Sequence, residues 1–321
     1  MRQEDYYMSN NYIAKLSENV VREHVRYVNR YGLAIAADLY RLKGLEAGSR
    51  YPAIIVGAPY GGVKEQGPCV YANNLAERGF IVLTFDQSFM GESAGEPRNI
   101  SSPEIFTENF SAAVDYLGVK VPYVDRERIG AIGICGSGGF ALSAAQIDTR
   151  IKAIATSSMY VMTTSARSML DEDALIQTKE RLSLKRWEDF EKGYPEYIPS
   201  FPEEPIDKVP EGIEEPAAEW FRFYALQRGY HIHARGGFST TSTLPFLNTD
   251  LTEFIREISP RPVLFIIGDR AHSNFYSEML YEKAKEPKEL FVVEDAEHID
   301  LYDRVDRIPF DKLEKFFYEN L

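Results

Sequence analysis

The sequence predicts an α/β protein: a mostly parallel central sheet flanked by helices, with an inserted helical cap. Three observations carry this. Short apolar runs of strand length alternate with helical stretches of ten or more residues, the rhythm of parallel strands covered on both faces. That rhythm stops near Tyr160 and resumes near Leu251. The interruption holds six prolines between Pro195 and Pro216, and aromatics from Trp187 to Tyr224. Proline at that frequency excludes long elements, and the segment is too apolar for a disordered linker. The expected organisation is an N-terminal helix or arm over 1–20, a core over 21–160 and 251–321, and a cap over 161–250.

The elements follow in order. Val25–Val28 and Leu33–Leu42 read as antiparallel strands around the turn Asn29-Arg30-Tyr31-Gly32. Tyr51–Gly57 reads as a buried strand, Cys69–Arg78 as a helix ended by Gly79, and Phe80–Phe85 as the next strand. Ser101-Ser102-Pro103 introduces an amphipathic helix to Leu117. Arg128–Ile134 is a strand, Gly136–Gln146 its helix, and Ile151–Thr156 another strand. Asp171–Phe190 is a helix of the cap. After it come strand Pro262–Ile267, helix Ser273–Ala284, strand Glu289–Val293 and a closing helix Phe310–Tyr318.

A chain of 321 residues can bury a large core. Its charge of −13 and pI near 5.0 make nucleic acid and anionic membranes poor partners. Cys69 and Cys135 give no disulfide framework. No apolar run reaches membrane-span length, and Met1-Arg2-Gln3-Glu4-Asp5 opens no signal peptide, so a cytoplasmic protein is expected. No Gly-x-Gly-x-x-Gly follows the first parallel strand and no P-loop is found. No cofactor or metal is expected.

The chemistry centres on Gly133-Ile134-Cys135-Gly136-Ser137-Gly138-Gly139, directly after a strand. A nucleophile on a sharp strand-to-helix turn needs small residues two positions away on either side, and Gly133 and Ser137 flank Cys135 in this way. The following helix N-terminus favours a thiolate. Ser137 is the rival nucleophile, but Cys135 stands where its preceding glycine should be. Proteins built on such an elbow order their triad as nucleophile, acid, histidine. Of the five histidines, only His298 follows the last strand. His24 lies at the hairpin, where a surface position is the default; His231 and His233 lie in the cap and His272 close to the candidate acid. Asp269 ends the preceding strand and is the expected acid, holding the imidazole through Nδ1; Asp295 and Glu297 compete from the histidine's own loop. The oxyanion donors expected are the N–H of Gly136 and, because Pro59 has none, that of Tyr60. Asp86 and Gly91-Glu92-Ser93 read as loop anchors.

Five segments together resemble a known group: Gly57–Gln66, Phe85–Ser93, Gly133–Gly139, Gly268–Ser273 and Ala296–Asp303. They are similar to bacterial α/β-hydrolases of the dienelactone-hydrolase-like type, which stand close to the Xaa-Pro dipeptidyl-peptidase family. The resemblance runs from about residue 20 to the C-terminus. It implies an α/β-hydrolase fold with Cys135 as nucleophile, His298 as base and Asp269 as acid. Dienelactone hydrolases carry Gly-x-Cys-x-Gly, and here Ser137 replaces the last glycine.

The expected function is hydrolysis of an ester, lactone or thioester through an acyl-enzyme on Cys135. The alternatives are acyl transfer to a non-water acceptor, a serine hydrolase using Ser137, and a non-catalytic binding protein on the same fold. The partner expected is a small, partly apolar acyl compound suited to the aromatic cap. The oligomeric state is not fixed by the sequence, and a homodimer is the assembly it allows for.

Overall fold

A side-chain clamp sets the antiparallel start of the sheet. In the computed structural model, which describes residues 12–168 and 170–321, β1 (Val20–Val28) and β2 (Ala34–Leu42) pair from Val20↔Leu42 to Val28↔Ala34. Asn29 closes the hairpin by accepting the N–H groups of Tyr31 and Leu33, both at 3.0 Å. After β3 (Tyr51–Gly57) comes β4 (Ile81–Phe85), which β2 joins antiparallel. Every other pairing is parallel, through β5 (Val124–Ile134), β6 (Ile151–Ser157), β7 (Val263–Gly268) and β8 (Lys288–Val293). The sheet order is β1-β2-β4-β3-β5-β6-β7-β8.

The inner strands are continuous apolar runs because helices cover both faces. On one side Ile55, Ala131, Ile154 and Phe265 share a core with Phe106, Phe110 and Phe140. Those aromatics come from α2 (Pro103–Lys120) and α3 (Gly136–Ile147). On the other side Ile54, Val56, Ile132 and Ile266 share a core with Leu75 of α1 (Gly67–Glu77) and Phe317 of the last helix, Phe310–Asn320. Each fully buried Ile or Phe contributes roughly 1.5–3 kcal/mol, so burial against the sheet, more than helix propensity, holds these helices. Capping refines them: Ser102 Oγ accepts the Ile105 N–H at 3.4 Å, with Pro103 in the first turn of α2.

The chain leaves β3 toward β4 on one side and reaches β5 on the other. Loops after β3 and β5 therefore face each other across a crevice at the carboxyl ends of the strands. Between β6 and β7 lie α4 (Met162–Ser168), α5 (Glu172–Lys192) and α6 (Ala217–Tyr224). Two isolated bridges, Tyr197↔Ser239 and Ser200↔Gly236, tie this proline-rich insertion together.

Of the expected N-terminal helix or arm, residues 1–11 lie outside the described residues. Residues 12–19 are not helical. They are fastened to the core by the Tyr12 hydroxyl donating to Asp38 (2.7 Å) and the Ile13 N–H donating to Glu65 (3.0 Å). Among the described residues no helix is long and apolar enough to cross a membrane.

Candidate active site

Cys135 is the hinge between β5 and α3. Its φ of +52° and ψ of −123° form a strained turn for a residue with a Cβ, costing about 1–3 kcal/mol. The surroundings enforce it: Cys135 N–H donates to Ser157 O (3.0 Å), while Gly138 and Tyr160 N–H both donate to Cys135 O (2.9 Å). Gly133 is required sterically, since a Cβ there would lie 2.3 Å from Ser137 O. Ser137 is buried in the first turn of α3 and does not line the cavity beside Cys135.

The loop after β3 closes onto this turn. A Cβ on Gly136 would come 2.6 Å from the Tyr60 Cβ, so only glycine permits the approach. It brings the Tyr60 and Gly136 backbones together beside Cys135, where their N–H groups pull the thiol pKa down. The Tyr60 ring stacks on Phe238 with centroids 4.2 Å apart, and its hydroxyl meets Ser101 Oγ at 2.6 Å.

A buried charge cluster anchors that loop. Lys64 is wholly buried, with its ammonium 3.1 Å from Asp86, 2.6 Å from Glu92 and against Glu65. Asp86 also accepts the N–H groups of Lys64 (2.8 Å) and Glu92 (2.9 Å). Burial disfavours the Lys64 charge, but Asp86, Glu65, Asp38 and Glu92 hold its pKa above the ordinary value. Burial also opposes the Asp86 charge; Lys64 and the two N–H donors hold its carboxyl below the ordinary range. Burial and then the Asp86 charge push Glu65 up to about 8. His24 joins this cluster at the sheet edge, 2.9 Å from Asp38 and 3.6 Å from Glu92.

Cys135 opens into a cavity of about 450 Å³ walled by Tyr60, Tyr160, Phe201, Trp220, Tyr224 and Phe238, with Tyr302 beside the thiol. Burial raises the thiol pKa above its ordinary value, while the Tyr302 hydroxyl and the N–H groups of Tyr60 and Gly136 pull it down. A more polar cavity of about 580 Å³ adjoins it, and Ser200, Arg235 and Gly236 line both.

His298 lies after β8 and is fully buried. Its Nδ1 is 2.6 Å from Ser273 Oγ and its Nε2 2.8 Å from the Tyr302 hydroxyl. Burial first, and His272 second, hold the imidazole well below its ordinary pKa. Asp269 follows β7 but does not meet His298. Its N–H extends the ladder to Val293 O (3.0 Å), and its exposed carboxylate accepts the Ala296 N–H (3.3 Å). The turn after Gly268 brings Ser273 to the imidazole instead. Asp295 and Glu297 pair with Arg270 and Arg307, or with Arg270 and Arg222, on the exterior.

Two further side chains reach the site from places that sequence reasoning passed over. Glu219 of α6 is 5 % exposed; its Oε1 accepts the Ile299 N–H (2.9 Å) and its Oε2 lies 2.8 Å from His272 Nδ1. The His272 ring lies 4.8 Å from that of His298. Glu219 shares a helix face with buried Phe223, four residues on, and that spacing was the available signal. Tyr302 stands four residues after His298, the separation of one helical turn. His231 is buried and pushed down to about 4 by burial and then by His233; His233 lines the polar cavity, not the one at Cys135.

No family model matches the chain. The uncharacterised protein PA2218 of Pseudomonas aeruginosa is 46% identical over 313 residues, covering 95% of this chain and 82% of that one. Its crystal structure superposes with a TM-score of 0.92 over 97% of each chain. The polyketide transferase grgF of Penicillium sp. is 26% identical over 87% of this chain and 90% of its own. The crystal structure of GrgF, described as an α/β hydrolase, gives a TM-score of 0.75 over 94% and 99% of the two chains, at 24% identity. The chain belongs to one family with PA2218 and has the α/β-hydrolase fold. The thiohydrolase aneE of Aspergillus aculeatus is a further relative, 26% identical over 89% of each chain.

Proposed function

We propose that this α/β hydrolase transfers acyl groups from activated esters, lactones or thioesters to water through a covalent acyl-enzyme on Cys135. The observation that carries the reading is the thiol on a strained backbone turn, opening into the aromatic cavity with the Tyr60 and Gly136 backbones packed together beside it. In the step proposed, the Cys135 sulfur attacks the carbonyl carbon and the C=O pair moves onto oxygen. The N–H groups of Tyr60 and Gly136 hold that oxyanion. Collapse expels the alcohol or thiol, which takes the proton that His298 received from the thiol. Water, deprotonated by His298, then releases the acid. A thiolate is a good leaving group, so activated acyl donors suit it better than amides. Relatives named thiohydrolase and polyketide transferase agree with thioester-type chemistry.

The aromatic walls suit a partly apolar acyl group of small or moderate size, with the insertion acting as a cap. Transfer to a non-water acceptor is the second reading. It is favoured by the adjoining cavity, where Arg98, Asn99, His233 and Arg235 offer polar contacts to an acceptor.

The test is labelling with p-nitrophenyl acyl esters, quenching and mapping by mass spectrometry. A single acyl group on Cys135 is expected; label on Ser137, or none on folded protein, would sink the reading. Adding alcohol or amine acceptors then separates transfer from hydrolysis.

The reading also assigns Glu219 as the acid that supports the histidine loop, in the place expected for Asp269. Its two hydrogen bonds reach the backbone beside His298 and the His272 ring packed near it. E219Q is expected to lower kcat by about 10–100-fold with little change in KM, whereas D269N stays within about twofold of wild type. The reverse ranking in ester hydrolysis would restore Asp269.

A further inference from the structure

Resting on the Cys135 acyl-enzyme reading, we infer that Tyr302 is a catalytic residue: its hydroxyl relays the proton between the Cys135 thiol and His298. The two groups expected to exchange a proton do not face each other directly. His298 Nε2 is occupied by the Tyr302 hydroxyl at 2.8 Å, and the same hydroxyl stands near enough to the Cys135 thiol to pull its pKa down. Tyr302 lines the cavity together with Cys135, while His298 lies behind it and has no exposed surface.

The imidazole has little freedom to swing past. Nδ1 is held by Ser273 Oγ at 2.6 Å, Tyr160 sits edge-on with centroids 5.4 Å apart, and His272 packs at 4.8 Å. Rotation toward Cys135 would break two buried hydrogen bonds and leave their partners unsatisfied. The Tyr302 ring is equally confined, edge-on to Phe223 with centroids 5.1 Å apart.

The relay balances without any other reactant. The Sγ–H bond breaks as a new Oη–H bond forms, and the original Oη–H bond breaks as Nε2–H forms. The products are a thiolate, a neutral tyrosine and an imidazolium whose Nδ1–H donates to Ser273. A phenolate is never formed, in keeping with a Tyr302 hydroxyl that burial, and then the Cys135 charge, hold well above the ordinary tyrosine pKa. When the tetrahedral adduct collapses, the same two transfers run in reverse. The proton reaches the leaving oxygen or sulfur, which lies beside Cys135 in the cavity.

The deciding experiment compares wild type, Y302F, H298A and the double variant. Each is assayed for the rate of Cys135 acylation by a p-nitrophenyl ester and the pH dependence of Cys135 alkylation by iodoacetamide. Phenylalanine keeps the ring and removes only the hydroxyl, and an unchanged melting transition confirms the fold. Y302F is expected to slow acylation about a hundredfold. It should move the alkylation profile to higher pH, and add nothing to the loss in H298A, because both variants cut one path. Acylation of Y302F within about threefold of wild type, or multiplied losses in the double variant, would overturn the relay while leaving the acyl-enzyme standing. Wild type acylated at a site other than Cys135 would remove both. A Y302F that melts early would be replaced by 3-fluorotyrosine at 302, which keeps the hydroxyl but makes it more acidic. A changed acylation rate is then expected, and an unchanged one overturns the relay.

Discussion

C135A is expected to lose acyl-transfer activity by about 10⁴–10⁶-fold in kcat, with ester binding largely kept. Alanine removes the atom proposed to form the acyl bond but leaves the aromatic walls and both backbone donors in place. C135S should lose more than a hundredfold, because a hydroxyl is much harder to deprotonate and His298 is a weak base in its buried setting. Steady-state hydrolysis of p-nitrophenyl esters, with ligand binding measured separately, checks both. A C135S enzyme with wild-type turnover would mean that the thiol does no chemistry.

K64M is expected to destabilise the fold by about 3–5 kcal/mol at pH 7, read as a lower guanidinium midpoint. Methionine fills most of the volume but leaves Glu65, Asp86 and Glu92 around a site with no positive charge. The pH dependence carries the sign. Asp86 is held below its unfolded value, so its contribution is present above about pH 4 and lost as pH falls through its folded pKa. Glu65 is pushed up to about 8, so its contribution is present below its unfolded pKa of about 4.3 and is lost as pH rises to about 8. Without Lys64 the Asp86 and Glu65 carboxyls shift upward, since its charge lowers both. The K64M deficit should therefore be smallest near pH 5 and grow toward pH 8, and a flat deficit would contradict this account. Activity should fall too, because the cluster fixes the loop that aims the Tyr60 N–H.

The strands and core helices were legible because their signals are local. Tyr51–Gly57 was readable as a buried strand from its apolar run alone, and Ser102-Pro103 marked the start of α2. The elbow was legible for a steric reason: the close approach of Gly133 to Ser137 O tolerates no Cβ. His298 could be chosen by order along the chain. The partners of His298 could not. Asp269 and Ser273 share one turn, and which of them reaches the imidazole depends on whether the β7–β8 ladder extends past Gly268. It does, and that turns Asp269 outward.

The sequence by itself determined the α/β architecture, the elbow and the position of Cys135, all properties of short stretches with their own periodicity and steric demands. Tertiary structure alone decided which groups surround the thiol. Glu219 lies about eighty residues before the loop it holds, in a proline-rich insertion where only the short helical spacing to Phe223 hints at burial, and Tyr302 comes to line one cavity with Cys135 only after β5 and the segment following β8 converge. Long-range placement of this kind is set by how the insertion and the loops pack over the sheet, and no local pattern encodes it.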